Sequence, residues 1–100
     1  MAALVESMVG LGKWVAVPRP GVELTPTEDG LVVFEPVSQN VHHLNQSAMA
    51  VYVLADGILT DAEIASEIAD VYELDAPPYD AVTDAMRELV ASGLLVRRRV

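Results

Sequence analysis

The stretch VHHLNQSAMAVYVLADG, residues 41–57, decides the fold because its hydrophobic pattern changes from that of a strand to that of a helix. Residues up to Leu44 are typical of a short strand, and apolar residues recur at helical spacing after Asn45. Asn45 is a favourable helix N-cap, and Leu44 and Met49 occupy the positions of a hydrophobic staple. Gly57 is expected to end this first helix. The predicted buried face consists of Ala48, Val51, Leu54 and Ala55.

A second helix is predicted by LTDAEI, residues 59–64, which is the clearest local signal in the chain. Thr60 and Glu63 have the spacing of a capping box, in which each side chain accepts a hydrogen bond from the other residue's backbone N–H. This helix is expected to fade near Leu74. Its predicted buried face consists of Ile64, Ile68 and Val71.

A third helix is predicted after the second one fades. Asp75 is expected to cap it, and Pro77 and Pro78 are tolerated in its first turn, where the N–H that proline lacks would be unpaired. Gly93 fits the left-handed position that ends a helix, with Leu94 packing back on the last turn. The predicted buried stripe consists of Val82, Met86, Leu89 and Val90.

Three strands are predicted before the first helix. GVEL, residues 21–24, and GLVVFEP, residues 30–36, are separated by the turn residues TPTEDG, and VHHL follows a second break. They predict an antiparallel meander between Val22 and Leu44. The fold class is therefore α+β, a winged helix-turn-helix-like domain with a three-stranded antiparallel sheet followed by three helices. The closing LLVRRRV, residues 94–100, would add either a little strand or a basic tip.

One hundred residues with 52% hydrophobic content make one small domain. We divide the chain into an N-terminal arm, residues 1–20, and a domain, residues 21–100. The arm is apolar, but it lacks the basic region of a signal peptide and is interrupted by Gly10 and Gly12, so it predicts neither secretion nor a membrane span. Cysteine is absent, which is compatible with a reducing cytoplasm, where we expect the protein to reside.

The charge of the chain argues against nucleic acid as a partner. Six Lys and Arg stand against fifteen Asp and Glu, and the net charge of −9 would repel phosphates over most of the surface. The third helix, which would read DNA in a helix-turn-helix protein, offers mostly negative charge. Its charged residues are Asp80, Asp84, Arg87 and Glu88.

The sequence contains no pattern that indicates catalysis, a metal site or a cofactor. The lack of cysteine removes thiolate chemistry, iron–sulfur clusters and the usual zinc sites. His42 and His43 are neighbours on a strand and point to opposite faces, so they cannot jointly bind one metal ion. One imidazole is expected to pack or hydrogen-bond near the core and the other to face solvent. The acidic residues from Asp56 to Asp75 lie at helix starts and on outer helix faces.

The backbone of the strand VHHL, rather than its two imidazoles, indicates a binding function. In a meander of simple order it is an edge strand, with unpaired N–H and C=O groups beside the third helix. Such an edge can accept an extended peptide as an added strand, because the main chain supplies affinity and a neighbouring groove selects side chains. A binder of this kind requires no catalytic residue.

The order and spacing of these signals resemble those of PqqD-like proteins over Val22 to Leu95. The shared pattern is a strand ending in Leu-Asn, a small residue early in the first helix, an Asp-Gly stop, a Thr-led second helix and a third helix closing in Gly-Leu-Leu. In this chain the corresponding residues are Leu44-Asn45, Ala48, Asp56-Gly57, Thr60 with Ile64, and Gly93-Leu94-Leu95.

The resemblance implies a non-enzymatic adaptor in the biosynthesis of ribosomally made, post-translationally modified peptides. PqqD-like proteins bind the leader segment of a precursor peptide as an added strand and present it to a modifying enzyme, which is a radical S-adenosylmethionine (radical SAM) protein in many pathways and a protease or a cyclase in others. The implied leader-binding edge consists of Asn40, Val41, His42, His43 and Leu44. The implied groove wall on the third helix consists of Tyr79, Val82, Thr83, Met86, Arg87 and Val90.

Other interpretations stay open at this point. The arm could dock the enzyme, cover the edge strand, or exchange between the protomers of a homodimer. A winged helix could instead serve as a transcriptional regulator that binds DNA or a regulatory protein. The third alternative is a small acidic structural subunit whose groove is filled by the arm, and deletion of residues 1–13 would then destabilise it.

Overall fold

The computed structural model describes residues 14–99, and the expectations that concern residues 1–13 lie outside this range. The strands are β1 (Trp14–Pro18), β2 (Glu23–Thr27), β3 (Gly30–Glu35), β4 (Asn40–Asn45) and β5 (Leu95–Arg99). The helices within this range are α1 (Gln46–Leu54), α2 (Asp61–Val71) and α3 (Tyr79–Ala91). The fold is mixed α+β with antiparallel sheets and three helices, as the sequence predicted at this level.

The strands β2, β3 and β4 form an antiparallel sheet in that order. The meander predicted between Val22 and Leu44 is therefore present. Thr27 pairs with Gly30, so the first hairpin turns through Glu28 and Asp29 alone. β2 extends further towards its C-terminal end than the predicted GVEL. It continues through Pro26, a residue that an edge strand tolerates.

Gly30 determines how closely β4 approaches β3. A Cβ atom on Gly30 would overlap the backbone carbonyl of Leu44, and a backbone atom cannot rotate away as a side chain would. Gly30 pairs with Asn45, the last residue of β4 and the N-cap of α1. The missing side chain therefore sets the position of the strand that leads into the first helix.

The N-cap residues of the first two helices act as predicted. The N–H of Ala48 donates to Asn45 Oδ1 at 2.8 Å. Thr60 and Glu63 form the capping box, with each side chain accepting from the other backbone N–H. The end of α3 also agrees with the sequence, since Gly93 follows it with φ +81°, in the left-handed region.

The third helix begins later than predicted. α3 starts at Tyr79 with Pro78 at the N-cap position, and no side-chain hydrogen bond caps it. The prediction of Asp75 as the cap is wrong because a residue that precedes proline is disfavoured in the helical conformation, and both Ala76 and Pro77 precede one. The chain therefore reaches Pro78 before a helix can start.

The strands β1 and β5 form a second, two-stranded antiparallel sheet that joins the two ends of the described chain. β1 lies within residues 1–20, which we assigned to the arm, yet its Val15 and Ala16 are buried in the folded unit. Arg97 on β5 attaches this sheet to α2, since its two terminal nitrogens donate to both carboxylate oxygens of Asp61 at 2.8 Å. That hydrogen bonding raises the pKa of Arg97.

The buried core draws on both sheets and on all three helices. Its largest fully buried side chains are Ile64, Met86, Leu94, Leu95, Val15, Val33, Val51 and Val82. The prediction that Val71 is buried is wrong, because this last residue of α2 extends beyond the core and is 67% exposed. Among residues 14–99, the helices are all too short or too polar to cross a membrane.

We expect Gly30→Ala to destabilise the protein by about 1–3 kcal/mol, the usual cost of overpacking. The added methyl group meets the Leu44 carbonyl, so β4 must move away from β3. Urea denaturation measures the loss, and amide exchange along β4 locates it. Gly21→Ala is the control, since this position has φ +79° but open space around it. If both variants leave exchange along β4 unchanged, the close approach does not set the strand.

The buried Tyr52 on α1 makes the stability of the protein depend on pH. Burial raises the pKa of its hydroxyl above the usual 10.0, since the interior disfavours the phenolate. The folded state therefore holds the phenol proton more tightly than the unfolded state does. The contribution of Tyr52 to the free energy of unfolding is complete below about pH 10 and is lost as the pH rises through the raised pKa. Urea denaturation above about pH 10 should show a shallower decline for Tyr52→Phe than for the natural protein. Equal slopes would contradict this.

Candidate functional site

β4 is an edge strand. It pairs with β3 on one side, and no described segment pairs with its other side. An edge of this kind presents unpaired backbone donors and acceptors to solvent or to a partner. The register of the sheet determines which residues carry them.

The first hairpin establishes the hydrogen-bonding pattern of β3. A two-residue hairpin turn is closed by a hydrogen-bonded pair, which here is Thr27 with Gly30. The following pair, Pro26 with Leu31, is then a non-hydrogen-bonded one, in agreement with the absent N–H of proline. Leu31 therefore directs its backbone groups to the other side, where it pairs with Leu44 of β4.

The same alternation divides the backbone of β4 between two sides. Its residues that bond β3 are Asn40, His42 and Leu44. The N–H and C=O groups of Val41 and His43 consequently face the open edge. An incoming strand finds a donor and an acceptor at every second residue, which is the spacing that antiparallel pairing requires.

A carboxylate on β3 holds the His42 side chain. The imidazole Nε2 lies 2.7 Å from Glu35 Oε2, and both side chains are mostly buried. Glu35 Oε1 lies 3.9 Å from Arg19 Nε, which donates to the backbone carbonyl of Gly93 at 2.6 Å. These contacts connect β4 to the turn after α3. The prediction for the two imidazoles is confirmed, since His42 is hydrogen-bonded and His43 is exposed.

An apolar cleft of about 270 Å³ opens next to the end of β4. Gln46 and Ser47, which directly follow β4 in the chain, form part of its rim. All three helices contribute to its walls. The apolar side chains that line the cleft include Ala50, Val51, Ile68, Leu74, Ala81 and Val82.

The turn after α2 brings Tyr72 and Leu74 to this cleft. Glu73 between them has φ +53°, in the left-handed region that favours glycine. The N–H of Leu74 donates to the Ala69 carbonyl at 2.9 Å and closes the helix end. A non-glycine residue in this conformation costs about 1–2 kcal/mol. The turn that places Tyr72 and Leu74 at the cleft is therefore locally strained at Glu73.

The predicted groove wall on α3 is divided between the core and the surface. Val82 lines the cleft, whereas Met86 is completely buried and Val90 packs against the core. α3 packs mainly against α1, α2 and β5. The predicted α3 residues that are exposed are Tyr79, Thr83 and Arg87.

Sequence reasoning missed Arg19 and Glu35, together with the cleft walls on α1 and α2. Glu35 could have been found, because a carboxylate and a histidine lie close to each other across a predicted hairpin. Arg19 had no such signal, since its carbonyl partner Gly93 is 74 residues away in the chain. The cleft depends on how three helices pack, and no local pattern encodes that packing.

Comparison with known proteins gives one family match. The model of coenzyme PQQ synthesis protein D (PqqD) matches residues 30–95. That range contains β3, β4, all three described helices and the start of β5. No curated protein matches the chain.

Two solved structures share the fold. TbiB1 in complex with the TbiA(beta) leader peptide matches with a TM-score of 0.64 and 20% identity, over 79% of this chain and 93% of that chain. Lasso peptide synthetase B1 complexed with the leader peptide matches with a TM-score of 0.63 and 20% identity, over 81% of this chain and 96% of that chain. At this level of identity the likeness concerns the fold.

We expect Glu35→Ala to lower the free energy of unfolding by about 1–3 kcal/mol, because it leaves a mostly buried imidazole without its hydrogen-bond partner. The matched control is Asp84→Ala. Asp84 pairs with Arg87 on the outer face of α3, and its side chain is 72% exposed, against 14% for Glu35. Loss of that exposed pair should cost about 0.5 kcal/mol or less. Urea denaturation compares the two, and equal losses would show that the Glu35 contacts do not stabilise β4.

Proposed function

The chain belongs to the PqqD family, and from this premise we propose that it binds the leader segment of a ribosomally synthesised precursor peptide and presents it to a modifying enzyme. The observation that carries the proposal is the open edge of β4. The two solved structures of similar fold are both complexes with a leader peptide, which supports the same type of ligand here.

In this proposal the leader adds to the larger sheet as a further strand beside β4. Its backbone pairs with the outward N–H and C=O groups of Val41 and His43. Main-chain hydrogen bonds do not depend on the side chains of the leader, so this pairing supplies affinity and orientation. Asn40, His42 and Leu44 contribute by holding β4 against β3.

Selection among leaders comes from the surfaces beside that edge. An apolar leader side chain enters the cleft at the end of β4, where Val82 forms part of the wall. Met86 supports this wall from within the core rather than touching the peptide, because it has no exposed surface. The remaining α3 residues of the proposed site are Tyr79, Thr83, Arg87 and Val90.

The protein is non-catalytic in this proposal, and the chemistry belongs to the enzyme it serves. That enzyme is a radical SAM protein, a protease or a cyclase, and the complex works in the cytoplasm. The finer fold assignment is winged-helix-like: α2 and α3 are the helix-turn-helix pair, and the β1–β5 sheet is the wing.

His43→Pro tests the strand addition directly. Proline removes an N–H that faces the open edge, while the hydrogen bonds between β3 and β4 do not use it. The test ligand is a synthetic leader peptide, taken from a precursor gene that is encoded beside the gene of this protein. We expect the affinity for this peptide to fall about tenfold, which corresponds to the loss of one hydrogen bond. Isothermal titration calorimetry measures the affinity, and circular dichroism verifies the fold.

The control for this variant is Leu24→Pro on β2, the other edge of the same sheet. Leu24 pairs with Val33 at a non-hydrogen-bonded position, so its N–H also faces away from β3. This variant should bind the leader as well as the natural protein. Equal affinity of a folded His43→Pro variant would place the leader elsewhere, and equal losses in both variants would show a general effect on the sheet.

A further inference from the structure

The strand β5 gives the molecule a second open edge, in a different sheet from β4. It pairs with β1 on one side, and no segment among residues 14–99 pairs with its other side. β1 is the inner strand of this sheet, because Val15 also forms a bridge with Thr60. β5 is therefore the outer strand.

The register identifies the backbone groups on this edge. The N–H of Arg19 donates to the Leu94 carbonyl at 2.9 Å, which extends the β1–β5 pairing by a hydrogen-bonded pair. By alternation, Val96 and Arg98 bond β1. The residues whose backbone groups face away from β1 are Leu95, Arg97 and Arg99. Leu95 is buried, so the groups open to a partner are those of Arg97 and Arg99.

Two observations on β1 agree with this pattern. Ala16 lies opposite Arg97, and its carbonyl accepts from the N–H of Gly57 at 3.0 Å, on the side away from β5. Pro18 lies opposite Leu95 and has no N–H to offer to β5. Both residues therefore occupy non-hydrogen-bonded pairs, as the alternation requires.

The β5 edge is also basic in an otherwise acidic chain. The three arginines from Arg97 to Arg99 are half of its six Lys and Arg, while the net charge is −9. Arg97 is paired with Asp61, but Arg98 and Arg99 are exposed and form no ion pair within residues 14–99. The guanidinium of Arg98 donates to the backbone carbonyl of Gly57 at 3.4 Å. Arg99 lies 5.7 Å from the centroid of the ring of Trp14, its cross-strand neighbour on β1, which is within cation–π distance.

We propose that the β5 edge docks an extended, acidic segment of the modifying enzyme as an added strand. This inference rests on the proposed function, since an adaptor that holds its leader at β4 must contact the enzyme through another surface. Charge complementarity selects the occupant, because the strand with the open backbone edge carries Arg98 and Arg99, which form no ion pair within residues 14–99. The edges of β4 and β5 belong to separate sheets, so one adaptor carries both strands at once.

The side chains of β5 specify the pattern of that segment. In an antiparallel added strand, successive residues lie opposite Arg99, Arg98, Arg97 and Val96. Two consecutive acidic residues meet Arg99 and Arg98, and an apolar residue two positions further on meets Val96, which is 46% exposed. A terminally blocked peptide of sequence Thr-Glu-Glu-Thr-Val-Thr has this pattern, and Thr-Lys-Lys-Thr-Val-Thr is its charge-reversed counterpart.

Amide NMR titration of the full chain with these two peptides tests the proposal. The acidic peptide should shift the amides of Arg97 and Arg99 and the basic peptide should not. The double variant Arg98→Glu with Arg99→Glu should weaken binding of the acidic peptide by about tenfold, because attraction becomes repulsion. Titration of the same variant with the leader should still shift Val41 and His43, which separates this edge from the leader site.

Several outcomes would overturn the proposal. One is an acidic peptide that leaves β5 unshifted while the leader still binds at β4, which retains the proposed function and removes only the docking edge. Another is slow amide exchange at Arg97 and Arg99 in the free full chain, which would show that its own residues cover the edge. A third is tighter binding of a single-stranded oligonucleotide at the same amides, which would make nucleic acid the occupant. A different outcome is binding of the acidic peptide at β5 without any binding of the leader. This result would support β5 as a docking edge and would contradict the proposed leader function.

Discussion

One-sided pairing of β4 is the constraint on which the rest of the account depends. β3 satisfies the backbone groups of alternate β4 residues, and the groups of Val41 and His43 have no partner in the described chain. A sheet edge of this kind binds a peptide through geometry that its own register already fixes. In the proposed complex the leader therefore runs beside β4 without any rearrangement of the sheet.

Several local features hold that edge in place. Gly30 lets the Leu44 carbonyl come close to β3, and Asn45 ends the strand by capping α1. Glu35 binds the imidazole of His42 and lies near Arg19, whose guanidinium reaches the turn after α3. The strand is consequently attached at both ends and along its inner face. This arrangement leaves the outer edge as the side open to a peptide.

The sequence predicted those parts of the fold that short-range chemistry determines. The N-caps of α1 and α2 and the glycine after α3 depend on residues three or four positions apart, and the structure agrees with them. The cap at Asp75 failed because the restriction that proline imposes on its neighbour outweighs a favourable capping side chain. The β1–β5 sheet and the Arg19 contact join residues more than seventy positions apart, so no local pattern could reveal them. The role of the β4 edge in leader binding was inferred from strand order and family resemblance. The leader contacts on β4 and on α3 both stay predictions.

Hydrogen–deuterium exchange of the β4 amides, with and without a synthetic leader from the neighbouring precursor gene, tests the central claim most directly. The account predicts that the amides of His42 and Leu44 exchange slowly in the free protein, because they bond β3, and that those of Val41 and His43 exchange fast. Saturating leader should then slow Val41 and His43 selectively. A leader that binds tightly while these two amides continue to exchange as in the free protein would contradict strand addition at β4.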